Sequence, residues 1–469
     1  MLDKPAEAFI ENRTFDELTL GEAASLSHTV TQRDIDLFAT VTGDVNPAYV
    51  DPAYAETDMF HHIVMQGMWG GGLISAVLGT KLPGPGTICL GQNLRFRHPV
   101  SIGDTITATV TVREKMAAKG DVTLDCVCAN QRGEAVITGT AFTRAPAVKV
   151  RRPRIVLPHV QVDRHDGMNA IVARAAGGVR MPAAVVFPVD SASLLAAFEA
   201  SKAGLLAPVL IGPAAQMQAL ARAQDIDIAS FRLIDEPDAP AAASRAVALV
   251  HAGEAAIIMK GDLHTDELMH PVVASQGGLR TARHISHVYL MDVPDYPRLL
   301  MITDAAVNIA PKLAEKAAIV QNAIDLAHVI GIVQPRVAIL AAVETVNPKM
   351  QATVDAAELC RMAERGQITG GLVGGPFGLD NAISEAAAAE KHIVSPVAGR
   401  ADILVVPDLE AGNMLAKQLT FLSGAEAAGI VLGASVPIVL ASRADSAGTR
   451  LASCAVGVLL ARAGKAARS

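Results

Sequence analysis

Aromatic residues make up only 3% of this chain and charged residues 19%, against 51% hydrophobic. That balance excludes a disordered chain and points to aliphatic cores of the α/β kind. Cysteine is scarce as well: the five thiols include no Cys-x-x-Cys pair, so neither a disulfide framework nor a zinc knuckle is encoded. Cys126 and Cys128 lie two apart in an alternating segment, which places both thiols on one face of a strand as packing residues. No stretch supplies eighteen uncharged apolar residues, and the opening MLDKPAEAFIENRTF has no apolar centre of signal-peptide length. A cytoplasmic location with no membrane partner is expected. An excess of positive charge is also missing, since the net charge is −7, and without a basic footprint no nucleic-acid partner is expected.

At 469 residues the chain exceeds one ordinary domain. Residues 1–146 read as one α+β unit. A strand, ASLSHTV, leads to Thr31-x-x-Asp34, a capping pattern for the short helix DIDLFATV, and then to the loop TGDVNPAYVDPAYA. The apolar segment IVMQGMWGGGLISAVLG has helical length, and its Gly67, Gly70, Gly71 and Gly72 permit close backbone contact. Four alternating strands follow, ICLGQNLRFRHPV, DTITATVTVREK, VTLDCVCANQ and EAVITGTAFTRA, joined by short Gly and Asp turns. A long helix wrapped by an antiparallel sheet is the hotdog architecture.

The segment GDVNPAYVDPAYA, followed by QGMWGGGLISAVLG, resembles the hydratase loop and glycine-led helix of the MaoC-type enoyl-CoA hydratases. The resemblance runs from Phe38 to about Ala145 and implies a site at Asp44, Asn46, Tyr49, Gln66 and Gly67. Asp44 matches the family's aspartate, but Tyr49 stands where that family has the histidine that shares the attacking water. A phenol with a pKa near 10 is a poor replacement for that base. Gln66 departs too, standing where many members have histidine, while His61 and His62 lie outside the motif. The resemblance therefore implies an acyl-CoA site with doubtful hydration. An ordinary Asx turn before Pro47 explains Asp44 and Asn46 equally well.

Residues 147–159, with Lys149, Arg151, Arg152 and Arg154, read as a basic, proline-containing linker whose charges are solvated. From 160 to 469 strand and helix signals alternate: AAVVFP, APVLIG, FRLID, AAIIMKG, HISHVYLMDVP, RLLMITDA, RVAILAAVE, ITGGLVGGP, DILVVPD and PIVLAS, among alanine-rich helices. This is a doubly wound α/β pattern of a size that splits into two lobes around a cleft, with HVYLMDV and RLLMITDA as the antiparallel junction.

Ligands of such sheets collect beyond the carboxyl ends of the strands. ADILVVP ends in Asp408-Leu-Glu-Ala-Gly412-Asn413, before an amphipathic helix bearing Lys417, and GASVPIVLA ends in Ser442-Arg443-Ala-Asp445. An arginine fork beside a hydroxyl suits a phosphoryl group, although Ser442-x-x-Asp445 also reads as a helix start. Other strand ends carry Lys260-Gly261-Asp262 with His264-Thr265-Asp266, Thr303-Asp304 with Asn308, Glu344 with Asn347, and Gly374-Gly375-Pro376 before Asp380-Asn381. Each alone reads as a cap or turn; together they predict one cleft. His284 and His287, three apart at a strand start, point to opposite faces and read as structural.

The run from ADILVVPDLEAGNMLAKQLTF through GIVLGASVPIVLASRADSAGTRLASCAV resembles the phosphate acetyl/butyryltransferases. It implies the two-lobed isocitrate/isopropylmalate dehydrogenase-like fold and acyl transfer between coenzyme A and phosphate. It also implies a Ser442-Arg443 phosphate site, direct thiol attack without a covalent intermediate, metal or bound cofactor, and a homo-oligomer. The family's aspartate seven residues after the serine is Thr449 here, leaving Asp445 as the nearest carboxylate and the base unassigned. Two other readings are a nicotinamide- and metal-dependent hydroxyacid dehydrogenase on the same fold, and a non-catalytic acyl-CoA-binding or oligomerising hotdog domain.

Overall fold

The computed structural model describes residues 9–155, 157, 160, 166–294, 296–440 and 445–466. The chain divides into two compact units, Met1–Val162 and Asp163–Ser469, and no helix among the described residues is long and apolar enough to cross a membrane.

In the first unit Thr31 caps the helix Gln32–Thr42 reciprocally: the Asp34 N–H donates to Thr31 Oγ1 at 3.3 Å and the Thr31 N–H to Asp34 Oδ2 at 2.7 Å. Its strands are β1 (Phe9–Glu11), β2 (Ala23–Thr29), β3 (Ile88–Phe96), β4 (Thr105–Met116), β5 (Asp121–Ala129), β6 (Ala135–Arg144) and β7 (Arg151–Pro153). Five of them form an antiparallel sheet in the order β2-β4-β5-β6-β3. The helix Gly67–Thr80 packs on that sheet, burying Ile74, Val77 and Leu78, each worth about 1.5–3 kcal/mol. The segment expected as one loop instead holds two short helices, Pro47–Val50 and Pro52–Thr57, each opened by proline after an Asn46 or Asp51 cap.

The basic linker keeps its charges exposed, as expected, but is tied to the start of the chain rather than free. β7 pairs with β1, Lys149 bridges Glu11 and Glu17 at 3.1 and 2.9 Å, and the Arg151 guanidinium stacks 4.2 Å from the Phe9 ring. Buried Asn12 fastens the same segment by donating to Val148 O and accepting from the Val150 N–H, both at 2.9 Å. These contacts tie residues 148–153 to the start of the chain.

In the second unit β8 (Met181–Val186), β9 (Leu206–Gly212), β10 (Arg232–Asp235), β11 (Ile257–Lys260), β12 (Ser286–Asp292), β13 (Leu300–Thr303), β14 (Arg336–Leu340), β15 (Leu372–Phe377), β16 (Ile403–Val405), β17 (Glu426–Leu432) and β18 (Ile438–Val439) form one eleven-stranded sheet among the described residues. The order is β10-β9-β8-β11-β18-β17-β12-β13-β16-β14-β15. Each flank is a parallel block, whereas β17 and β12 at the centre pair antiparallel with both neighbours. The expected antiparallel junction of β12 and β13 is present, but of the run read as the strand GASVPIVLA only Ile438–Val439 is strand among the described residues. Its place is taken by β17, EAAGIVL, whose return β18 is only two residues long.

Candidate functional site at the strand ends

One line of register crosses the sheet centre: Met259 faces Val439, which faces Ile430, Val288, Thr303, Val405 and Ile339 in turn. β11 and β18 stop at this line running one way, and β13, β14 and β16 stop at it running the other way. Polar residues after these ends thus leave one level in two sets and in opposite strand directions, where the sequence suggests simple convergence.

In the first set Asp304 is buried and saturated. Its carboxylate accepts from the Ala306 and Val307 N–H groups at 3.0 Å, from the His287 N–H at 3.1 Å and from Asn308 Nδ2. Asn308 Oδ1 lies 2.7 Å from His284 Nε2. Such a carboxylate orders its own loop. Exposed Asp380 pairs with Lys391 at 3.3 Å; Lys391 also reaches Glu344 at 2.6 Å, and its hydrogen bond holds the Glu344 carboxyl below the ordinary carboxylate range. Asn413, placed inside the helix Leu409–Leu422 rather than ahead of it, donates to Ala305 O at 3.2 Å. Gly412 beside it has no room for a side chain, because a Cβ there would come within 2.8 Å of Asp304 O.

In the second set Lys260 ends β11 with its ammonium 3.4 Å from Gly261 O, and the Gly261 N–H donates to Val186 O at 2.8 Å. His264 and Thr265 open the helix Thr265–Val273, where the His264 N–H donates to Glu267 Oε2 at 2.7 Å, so both serve a helix start. Ser442 and Arg443 lie outside the described residues. The flanking Asp445 and Ser446 line a cavity of about 450 Å³ together with Tyr289, Lys417, Glu426 and Thr449. Lys417 stands one helical turn beyond Asn413, so one helix joins this cavity to the Asp304 loop. Burial, and then the charge of Asp445, pushes the Tyr289 hydroxyl up to about 12, which keeps it a proton donor.

The terminal helix begins at Ala447, not at the Ser442-x-x-Asp445 start the sequence offers, with Ser446 Oγ accepting from the Thr449 N–H at 3.0 Å. Thr449 is buried in the cavity wall. Glu426 is a cavity carboxylate that sequence reasoning missed, and it rests against Gly448, where any side chain would collide with it. An acid opening a strand carries no local signal; only the fold brings residue 426 beside 445–449.

His287 sits behind this wall, fully buried, its ring edge-on to Tyr289 with centroids 4.4 Å apart and neither ring nitrogen partnered. Burial pushes its pKa down to about 4, opposed only in part by the Asp304 charge. Below its unfolded value of 6.5 the unfolded chain binds a proton that the folded chain refuses until about pH 4, so stability falls over that window as pH drops. The loss is expected to reach about 3 kcal/mol. Urea unfolding of the wild type and of His287→Phe at pH 7.5 and 5 should show a smaller acid loss in the variant.

In the first unit a largely apolar cavity of about 400 Å³ is lined by Asn46, Tyr49, Gln66, Gly67, Trp69 and His98, among others. Asp44 is not among the lining residues; it accepts from the Asn46 N–H at 3.3 Å, and Asn46 in turn from the Ala48 N–H at 3.2 Å. Both are turn and cap geometries. His61 and His62 point elsewhere, to Glu56 O at 3.1 Å and Ser101 Oγ at 2.8 Å. His98, which the motif does not contain, is the imidazole at the cavity rim.

Residues 239–458 match the family model described as phosphate acetyl/butaryl transferase. The phosphate acetyltransferase of Rhizobium meliloti is 57% identical over 308 residues, covering 66% of this chain and 96% of that protein. The chain belongs to this family. Its similarity extends to the phosphate butyryltransferase of Clostridium acetobutylicum, 40% identical over 293 residues, which cover 62% of this chain and 97% of that one. The crystal structure of a branched-chain phosphotransacylase from Enterococcus faecalis superposes with a TM-score of 0.54 at 31% identity, covering 60% of this chain and 99% of that chain. Residues 20–127 match the MaoC like domain model. A MaoC-like domain therefore precedes an acyltransferase of the phosphate acetyl/butyryl family, and the dehydrogenase reading finds no support.

Proposed function

We propose that the second unit moves a short acyl group between coenzyme A and inorganic phosphate, at the cavity lined by Asp445, Ser446 and Thr449. The carrying observation is the cavity itself: Asp445, Ser446 and Thr449 line it immediately after the Ser442-Arg443 pair, beside the Lys417 ammonium. The reaction needs donors for phosphate, a group to accept the thiol proton, and alignment of two substrates. In this reading Ser442 and Arg443 hold phosphate and Tyr289 donates a hydrogen bond. Asp445 or Glu426 takes the proton from a thiol whose ordinary pKa is near 8.5. The thiolate attacks the acyl carbonyl, a C–S bond forms and the C–O bond to phosphate breaks. The substrates are coenzyme A esters and phosphate, with no resident cofactor or metal in the reading.

The two parallel blocks joined through β12 and β17 support a two-lobed arrangement of the isocitrate/isopropylmalate dehydrogenase kind. Strand β3, an edge strand with Ile88, Leu90 and Phe96 exposed, supports self-association of the chain. The cytoplasm, where both substrates occur, is the compartment this reading requires.

For the first unit the reading is acyl-CoA binding with little hydration, because Tyr49 occupies the motif's histidine position on the cavity wall and Asp44 is engaged in a turn. One experiment covers both units. Thiol released from acetyl-CoA and butyryl-CoA should depend on phosphate, while crotonyl-CoA should lose little enoyl absorbance in the same preparation. Thiol release indifferent to phosphate contradicts the first reading, and brisk hydration abolished by Asp44→Ala contradicts the second.

A further inference from the structure

Tyr289 lines the proposed acyl-transfer cavity, yet its hydroxyl has no hydrogen-bond partner among the described residues, so no polar anchor sets the direction of the ring. Packing sets it instead. His287 stands two residues earlier on β12 and therefore on the same face of the strand. Its ring meets the Tyr289 ring edge-on, with centroids 4.4 Å apart and planes inclined at 73°. Gly429, directly opposite Tyr289 on β17, leaves the space for this contact: a Cβ there would lie 3.2 Å from His287 Nε2 and 3.4 Å from Tyr289 Cε1. The glycine is tied to the cavity wall, because its N–H donates to Ser453 Oγ at 3.0 Å and Ser453 Oγ donates to Thr449 O at 2.8 Å.

His287 is itself held through its backbone. Its N–H donates to Asp304 Oδ2 at 3.1 Å, and its carbonyl accepts from Thr303 Oγ1 at 2.8 Å. The fully buried ring leaves both nitrogens without partners, a cost to stability that an apolar side chain would not carry. What the ring supplies is a flat surface on a rigid base, in the edge-to-face geometry that aromatic pairs prefer. We propose that His287 is a positioning residue for acyl transfer, its ring fixing Tyr289 so that the hydroxyl is directed into the cavity toward the phosphate. The inference rests on the reading of that cavity as the acyl-transfer site. No bond is made or broken at His287, which acts only through Tyr289.

Transfer from acetyl-CoA to phosphate, with each substrate varied in turn, is measured on the full-length wild type, Tyr289→Phe, His287→Leu, His287→Phe and the double variant Tyr289→Phe with His287→Leu. Urea unfolding serves as the folding check, and both substitutions at 287 remove the unpartnered nitrogens. Tyr289→Phe and His287→Leu are each expected to lower kcat/KM for phosphate about tenfold, with KM for acetyl-CoA near the wild-type value. The double variant should fall no further than the single ones, because the contact then has no hydroxyl to direct. His287→Phe keeps a ring over Gly429 and should recover most of the loss. Losses that multiply in the double variant, to about a hundredfold, show His287 acting apart from Tyr289 and overturn the inference. Wild-type kinetics in His287→Leu, or a His287→Phe variant no faster than His287→Leu, overturn it too. Wild-type kinetics in Tyr289→Phe remove the hydroxyl from the reaction and overturn the inference while leaving phosphate acyl transfer standing. Thiol release by the wild type that ignores phosphate contradicts the reading of the cavity itself.

Discussion

Arg443→Ala is expected to lower phosphate-dependent turnover by about a hundredfold or more while leaving thermal unfolding nearly unchanged. A guanidinium presents parallel donors to two phosphate oxygens, and in a desolvated site such a charge-assisted pair is worth a few kcal/mol. Arg443→Lys should fall as well, because an ammonium restores the charge without the fork. Steady-state kinetics with phosphate varied at saturating acetyl-CoA separate the two losses: alanine depresses kcat/KM for phosphate most, lysine less. Kinetics unchanged in both variants would reassign Arg443 to a solvated turn before the terminal helix.

The second large effect concerns stability. Lys316 and Asp355 form a buried ion pair at 2.7 Å, each 5% exposed, and Gln351 Nε2 adds a second hydrogen bond to the carboxylate at 2.7 Å. Both residues line a cavity of about 500 Å³ between the starts of the helices Leu313–Val329 and Gln351–Glu364. Removing the cation leaves Asp355 charged and buried, a loss of about 3–5 kcal/mol. Lys316→Met should therefore lower the melting temperature of the second unit by about ten degrees. The double variant Lys316→Met with Asp355→Leu should recover most of that, since a matched apolar pair replaces the ion pair at little net cost. Calorimetry on both proteins reads the difference. A single variant that melts with the wild type would show the pair to be solvated.

The first unit was largely legible in the sequence because its elements carry strong periods. Alternation in TITATVTV and TLDCVCA marks strands whichever neighbours they meet, and Thr31 with Asp34 marks a helix start that the fold keeps. Short-range signals failed where tertiary partners decide. Lys149 and Arg151 read as solvated linker charges and stay exposed, but the pairing with Glu11, Glu17 and Phe9 comes from residues far off in the chain. Likewise GASVPIVLA reads as the strand here, whereas Glu426–Leu432, buried over 427–432, forms it and only Ile438–Val439 of the expected run pairs.

The candidate site was less legible. Strand-end polar residues were picked out as a class, and of these Asp304, His264 and Thr265 are engaged in ordering loops and helix starts, uses that a motif does not separate from ligand binding. Glu426 and His287 went unnoticed as features of the site, one opening a strand and the other buried within one. Their relevance comes from register across the sheet, which a linear sequence does not display. Tyr49 and Gln66 were visible as departures from a motif, but that Gln66 keeps an oxygen without a donor is a fact of packing.

Direct transfer between two bound substrates is the centre of the account. The two thiols of the second unit, Cys360 and Cys454, are pushed up by burial to about 11 and about 12, so neither is poised to carry an acyl group. Incubation of the full-length protein with acetyl phosphate and radiolabelled orthophosphate, with and without coenzyme A, tests this most directly. The account predicts that label enters acetyl phosphate only when coenzyme A is present. Label incorporated without coenzyme A would contradict direct attack in favour of an acyl-enzyme, and no incorporation even with coenzyme A would contradict the assignment of phosphate acyl transfer.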